Sequence, residues 1–286
     1  MRDRIDGGRR MILVTAAGGM TGLAVTAALR RRGLPVRALV RGRRAAAELA
    51  ALGAEVVVGS LRDDDATMAA LRGCGAVYLI WPNFDADEFA GATRLARQAC
   101  EAGVGRLVYH SVLRPQLERM PHHWQKLRVE EFLDALDVDR RVVQPCAYLD
   151  NIGGQLDAVR RTGRFTSPWG VGARLSYVDL RDVADAAAVL LTTDGLGGGT
   201  FELCGPQALD ADDVAAALVR RLGRAVRAVD APPAAAADHA GRCLALMSDH
   251  YREFGFTGTP FVLEALLGRP ARTLDDYLVT LADRAG

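Results

Sequence analysis

Short apolar runs alternate along this chain with longer stretches whose apolar residues return at helical spacing. MILVTA, PVRALV, AEVVVG, AVYLIW, GRLVYHS and RRVVQP read as strands. Between them helices are predicted from about Thr21, from Arg43, from Asp63, from Asp85 to Ala102, and through Lys126 to Ala135. Strict alternation of the two implies right-handed crossovers, hence an α/β protein with a parallel, doubly wound sheet. From Gly170 the pattern loosens. LSYVDLRDVADAAAVLL predicts a short strand entering a helix capped near Asp179, and GGGTFELCG a further strand after a glycine-rich turn. The remainder, from Pro206, is alanine-rich and helical, broken at Pro232, Pro233 and Pro260, and is expected to form a small lobe over the strand ends.

Composition narrows the partners. With 286 residues, 50% hydrophobic and 25% charged, the chain can bury a sizeable core as one large domain or one and a half. A net charge of +1 gives no basic face for a phosphate backbone, so nucleic acid is not the expected partner, although Arg30, Arg31 and Arg32 cluster locally. The 5 cysteines (Cys74, Cys100, Cys146, Cys204, Cys243) are scattered without a CxxC pair. This argues against a disulfide framework or structural zinc and for reduced thiols in a cytoplasmic protein. The opening MRDRIDGGRR is polar and expected to be a flexible extension over residues 1–10, with Met11 as an alternative start. MILVT is too short for a signal peptide's core or a membrane span.

The first strand runs into TAAGGMTG, Thr15 to Gly22, and then a helix. Such a turn either holds a pyrophosphate on its N–H groups or is simply a tight strand-to-helix connection; its place after the first strand favours the phosphate. TAAGGMTG followed by VRALVRG, VVVGSLRD, VYLIWP, LVYHSV, HHWQKLRVEEFL, VVQPCAYLDNI, YVDLRDVADAAA and FELCGP resembles the NmrA-like branch of the atypical short-chain dehydrogenases, from Met11 to about Arg227. The resemblance implies an NAD(P)-binding Rossmann domain over 11–152 and a substrate lobe over 153–286, with 175–205 returning to the core. It places cofactor contacts at Thr15, Ala17, Gly18, Gly19, Met20, Thr21, Gly22, Arg41, Ser60, Leu61, Ile80, Trp81, Pro82, Lys126, Pro145 and Tyr148. Two positions depart from the family pattern: Ala16 stands where its glycine loop begins with glycine, and Ser60 where GDLxD has aspartate. Arg41 follows the second strand where an acidic residue would bond a free ribose 2′-hydroxyl. A guanidinium there suits a 2′-phosphate, so NADP is favoured over NAD, unless Arg41 with Arg43 and Arg44 only solvates a helix entrance.

Of the 36 Lys and Arg side chains, Lys126 is the only lysine, and it lies four residues after His122 in HHWQK. Related dehydrogenases carry Tyr-x-x-x-Lys on this helix, whose spacing puts both side chains on one face. The resemblance gives Lys126 to the nicotinamide ribose and puts His122 in the tyrosine position, where it either meets the substrate or merely starts the helix beside Pro121. Ser111 matches a carbonyl-orienting serine or else caps its loop. Trp81, Trp124 and Trp169 fall where segments leave the sheet, with Phe84, Met120, His123, Tyr148 and Phe165 in similar places. They either form an apolar slot for a polycyclic aromatic substrate or pack the small lobe on the sheet. The expected function is an NADPH-dependent reductase of a quinone or polycyclic aromatic, as in aromatic polyketide tailoring with a partner oxygenase. The alternative is a non-enzymatic NADP-binding redox sensor acting through a protein partner. No metal site is expected.

Overall fold

The computed structural model describes residues 11–234 and 236–283; the expected extension at 1–10 lies outside them. The first half alternates as the pattern predicts: β1 (Met11–Val14), α1 (Met20–Arg31), β2 (Val36–Val40), α2 (Arg43–Ala51), β3 (Glu55–Val58) and α3 (Asp64–Leu71). Then come β4 (Cys74–Leu79), α4 (Glu88–Glu101), β5 (Arg106–His110), α5 (Pro121–Asp134) and β6 (Asp139–Pro145). Next are α6 (Asp150–Gly153), α7 (Leu156–Thr162), β7 (Arg164–Ser167), β8 (Leu175–Ser176), α8 (Leu180–Thr192) and β9 (Thr200–Leu203). The chain closes with β10 (Ala208–Leu209), α9 (Ala211–Leu222), β11 (Arg227–Asp230), α10 (His239–Phe254), α11 (Phe261–Leu267) and α12 (Leu274–Asp283).

Seven strands form one sheet in the order β3-β2-β1-β4-β5-β6-β9, every neighbouring pair parallel. Side chains alternate across it. Ile12, Val14, Ala38, Val40, Tyr78 and Val108 join the layer toward α1 and α8, while Leu13, Leu39, Val77, Leu79, Leu107 and Tyr109 join the layer toward α3, α4 and α5. A parallel sheet covered on both faces needs such continuous apolar strands. The order reverses between β1 and β4, which opens a crevice beyond their carboxyl ends. Asp179 caps α8 as the sequence suggests, its side chain accepting from the Arg181 N–H. After α6 the chain builds two small sheets absent from the sequence reading: β11 pairs with β7 in parallel, and β10 with β8 antiparallel. No helix among the described residues is long and apolar enough to cross a membrane. The five cysteines are free thiols.

Candidate active site

A cavity of about 970 Å³ occupies that crevice. Its first wall is the turn after β1. Gly18 lies against α2, where a Cβ would meet the Ala45 Cβ at 2.8 Å, and Gly22 lies against the turn itself, where a Cβ would stand 2.5 Å from the Ala17 Cα. Gly19, the N-cap of α1, has only the Ala16 carbonyl at 3.6 Å beyond its missing side chain. It makes no side-chain cap, and no acidic residue follows in the first turn. The N–H groups of α1 therefore face the cavity with room for an anion. Ala16 carries φ of +45°, a left-handed conformation that suits the glycine the family uses there.

Gly18, Gly19, Met20, Thr21, Gly22, Arg41, Ser60, Leu61, Ile80, Trp81, Pro82, Lys126, Pro145 and Tyr148 all line the cavity. Two predicted cofactor contacts do not. Thr15 is fully buried, its hydroxyl donating to the Ile80 carbonyl and accepting from the Ile80 N–H at 2.8 Å each, which ties β1 to β4. Ala17 is buried beneath Gly22. Arg41 is exposed at the rim and makes no ion pair among the described residues. Ser60 accepts from the Arg62 N–H and shapes its own turn.

The aromatic expectations divide by geometry. Trp81 borders the cavity, but the alternation of β4 sends it toward α4, where its indole sits over Gly91 and donates to Asp85 Oδ2 at 3.1 Å. Met120 is fully buried in the core and does not line the cavity. Trp124 is 36% exposed and also stands apart, because two residues along α5 turn a side chain about 200° from His122. Phe84 and Phe165 line a neighbouring pocket of about 300 Å³, and Trp169 lines both spaces. Residues that the sequence did not single out, Met247 and Tyr251 of α10 and Phe256 after it, complete the apolar wall.

Between these walls lies a buried polar cluster. Lys126 donates from Nζ to Glu88 Oε1 at 2.5 Å, and Tyr109 donates to the same oxygen at 2.8 Å. The lysine and glutamate side chains are 6% and 1% exposed. Glu88, the first residue of α4, was not foreseen. His122 borders the cavity on the same face of α5, edge-on to Phe84, with neither ring nitrogen bonded. Burial, then the neighbouring His123 and Lys126, push it down to about 2, so it stays a neutral imidazole. His123 also lines the cavity; it bonds the Arg114 carbonyl through Nδ1 at 3.0 Å and is held by burial at about 4. Ser111 donates its hydroxyl hydrogen to Glu130 Oε1, and Gln144 Nε2 donates to both oxygens of that carboxylate. His110, likewise not foreseen, bridges two tyrosines: Nδ1 lies 2.7 Å from the Tyr78 hydroxyl and Nε2 2.8 Å from that of Tyr148. No group of histidines, cysteines and carboxylates among the described residues is arranged to hold a metal.

The fit to an adenine dinucleotide phosphate rests on this arrangement: a glycine cradle that a Cβ would fill, a guanidinium past β2 without an ion pair among the described residues, and an ammonium deep between the two walls. Comparison with known proteins agrees. The profile of the NmrA-like family matches residues 8–275. NAD(P)H azoreductase of Xenophilus azovorans is 30% identical over 282 residues, spanning 93% of this chain and 96% of that protein. The (4-alkanoyl-5-oxo-2,5-dihydrofuran-3-yl)methyl phosphate reductase of Streptomyces griseus subsp. griseus is 32% identical over 286 residues, with the same shares of 93% and 96%. Among solved structures, NADPH-dependent quinone oxidoreductase from Escherichia coli in complex with NADPH superposes with a TM-score of 0.82 at 24% identity, covering 95% of this chain and 100% of that one.

Proposed function

This chain belongs to the NmrA-like family, and from that premise we propose that it is an NADPH-dependent oxidoreductase that reduces a quinone or other flat aromatic acceptor. The observation that carries the reading is the single cavity joining the glycine turn and Arg41 to the wall of Trp169, Tyr251 and Phe256 across Lys126. Azoreductase and quinone oxidoreductase among the similar proteins act, by their names, on azo compounds and quinones, both conjugated acceptors, which supports the same class here.

Bound NADPH would supply hydride. Gly18, Gly19 and Gly22 would admit its pyrophosphate to the N-terminus of α1, Arg41 would pair with the 2′-phosphate, and Lys126 would hold the nicotinamide ribose. Glu88 fixes the lysine from below, so the ammonium keeps one orientation without a ligand. His122 gives the substrate an uncharged imidazole with one donor and one acceptor. Ser111 already gives its hydrogen to Glu130, so toward a substrate it offers an acceptor. The apolar wall excludes water and stacks the acceptor, and reduction of a quinone then needs little acid assistance, because a phenolate is a stable anion near neutral pH compared with an alkoxide.

The narrower role is reduction of a polycyclic intermediate in aromatic polyketide tailoring, with the product handed to a partner oxygenase. The apolar cavity supports it by its size. The test is NADPH consumption with naphthoquinones, anthraquinones and an azo dye, under nitrogen and in air. Acceptor-dependent turnover that collapses in Lys126→Ala is expected. NADPH binding without turnover on any acceptor would replace the enzyme by the sensor, and extra NADPH consumption in air would support redox cycling of the reduced product toward oxygenation.

A further inference from the structure

We propose that Tyr148 is the hydrogen-bond donor that stabilises the charge developing on the substrate oxygen, its hydroxyl hydrogen turned into the cavity by the Tyr78 and His110 side chains behind it. The proposal rests on the reductase reading above and names the group that serves its site in place of the missing helix tyrosine.

A neutral imidazole has one N–H and one acceptor nitrogen. His110 is neutral, since burial and then the Lys126 charge push it down to about 3. Its Nδ1 meets the Tyr78 hydroxyl at 2.7 Å and its Nε2 the Tyr148 hydroxyl at 2.8 Å. Tyr78 is fully buried and makes no other side-chain hydrogen bond among the described residues. Were Nδ1 protonated, the Tyr78 hydrogen would be buried without an acceptor, an expensive arrangement. Tyr78 therefore donates to Nδ1, the imidazole proton sits on Nε2, and Nε2–H donates to the Tyr148 oxygen. The Thr21 side chain beside the same phenol counters part of the rise that burial imposes on Tyr148. Because Nε2–H donates to it, the Tyr148 hydroxyl does not donate back to His110, and its hydrogen is left for the cavity that the residue lines.

The other candidates are less suited. Ser111 gives its hydrogen to Glu130, and His122, though it keeps one N–H, has no partner on either ring nitrogen to fix where that hydrogen points. Tyr148 acts as a fixed dipole and keeps its proton. Passing that proton to the substrate and refilling it through His110 would end in a phenolate on fully buried Tyr78, which burial holds far above its usual range. The balance is accordingly simple: the quinone accepts one hydride, which carries both electrons and one hydrogen nucleus and leaves NADPH oxidised to NADP+; the resulting oxyanion is held by the Tyr148 O–H, and one proton from solvent water completes the hydroquinone. A preorganised donor of this kind contributes about 100-fold or more to turnover.

Nitrogen-15 NMR of histidine-labelled, unmodified protein reads the tautomer directly. The expected result is a protonated Nε2 and an unprotonated Nδ1 for His110, unchanged from pH 6 to 9. Kinetics supply the second reading. Tyr148→Phe should lower kcat about 100-fold while NADPH affinity stays within about twofold, and kcat of the wild type should be flat over the same pH range. Tyr78→Phe should move the His110 proton, lower kcat in the wild-type background, and add no loss to Tyr148→Phe. Protonation at Nδ1, or wild-type turnover in Tyr148→Phe, would overturn the proposal. A wild type inert toward every quinone would sink the reductase reading and take this role with it, whatever tautomer the NMR shows.

Discussion

Acidification from pH 7.5 to 5.5 should destabilise the fold through histidines alone, before most carboxylates titrate. His110, His122 and His123 are 7%, 3% and 0% exposed and are held near 3, 2 and 4 by burial. In the unfolded chain each returns to about 6.5. A folded pKa below the unfolded one means that the unfolded state binds the protons. Stability is then fully present above about pH 6.5 and falls as pH drops below it. At pH 5.5 an unfolded histidine is about ten-elevenths protonated, which favours unfolding by about 1.4 kcal/mol each, or about 4 kcal/mol for the three. At pH 7.5 the same sum is about 0.2 kcal/mol. His250, lowered by its burial, adds in the same direction, and Glu130, raised by burial, offsets part of it. Urea unfolding at the two pH values, extrapolated to water, measures the difference. His122→Phe should remove about a third of it. Equal stability at pH 7.5 and 5.5 would show that these imidazoles protonate in the folded state and would refute the neutral cluster on which the site's chemistry depends.

The Lys126 and Glu88 pair predicts strong coupling. Lys126→Met and Glu88→Gln should each cost about 3 kcal/mol by leaving a buried charge without its partner, while the double variant should recover most of that stability and none of the turnover; additive losses in urea unfolding would contradict the pair. Gly22→Ala should lower stability by about 1–3 kcal/mol, because its Cβ would overlap backbone, whereas Gly19→Ala should leave stability within about 0.5 kcal/mol and weaken NADPH; calorimetry of both variants separates the roles. Arg41→Asp should weaken NADPH about 30-fold or more and NADH little, and equal losses in a binding titration would remove the 2′-phosphate assignment.

Much of this fold was legible because its signals are local. Continuous apolar strands, amphipathic helices and the Asp179 cap each lie within a few residues of chain. The helical offset between His122 and Lys126 likewise carried them to one wall of the cavity. What failed depended on direction or distance. Trp124 and Met120 share the segment of His122, yet one faces outward and the other is sealed in the core, since neighbours along a helix point to different sides. Trp81 does line the cavity, but the pleat of β4 carries its indole into the opposite layer, where it fills the space that Gly91 leaves. Glu88 reaches Lys126 across 38 residues, and His110 reaches Tyr148 across the same separation. Neither pairing leaves a mark in the local pattern. The wall supplied by Met247, Tyr251 and Phe256 was hidden for the same reason: these residues lie in the last third of the chain, far along the sequence from the glycine turn and Lys126 that they meet around the cavity.

The central claim is that hydride passes from NADPH to an aromatic acceptor beside Lys126. Anaerobic stopped-flow mixing of the protein and NADPH, carrying deuterium at either face of C4, with a naphthoquinone tests it most directly. The account predicts stoichiometric loss of NADPH absorbance in a single turnover, slowed by deuterium at one face only and lost in Lys126→Ala. Binding of NADPH with no absorbance loss, or oxidation at equal rate in Lys126→Ala, would contradict it.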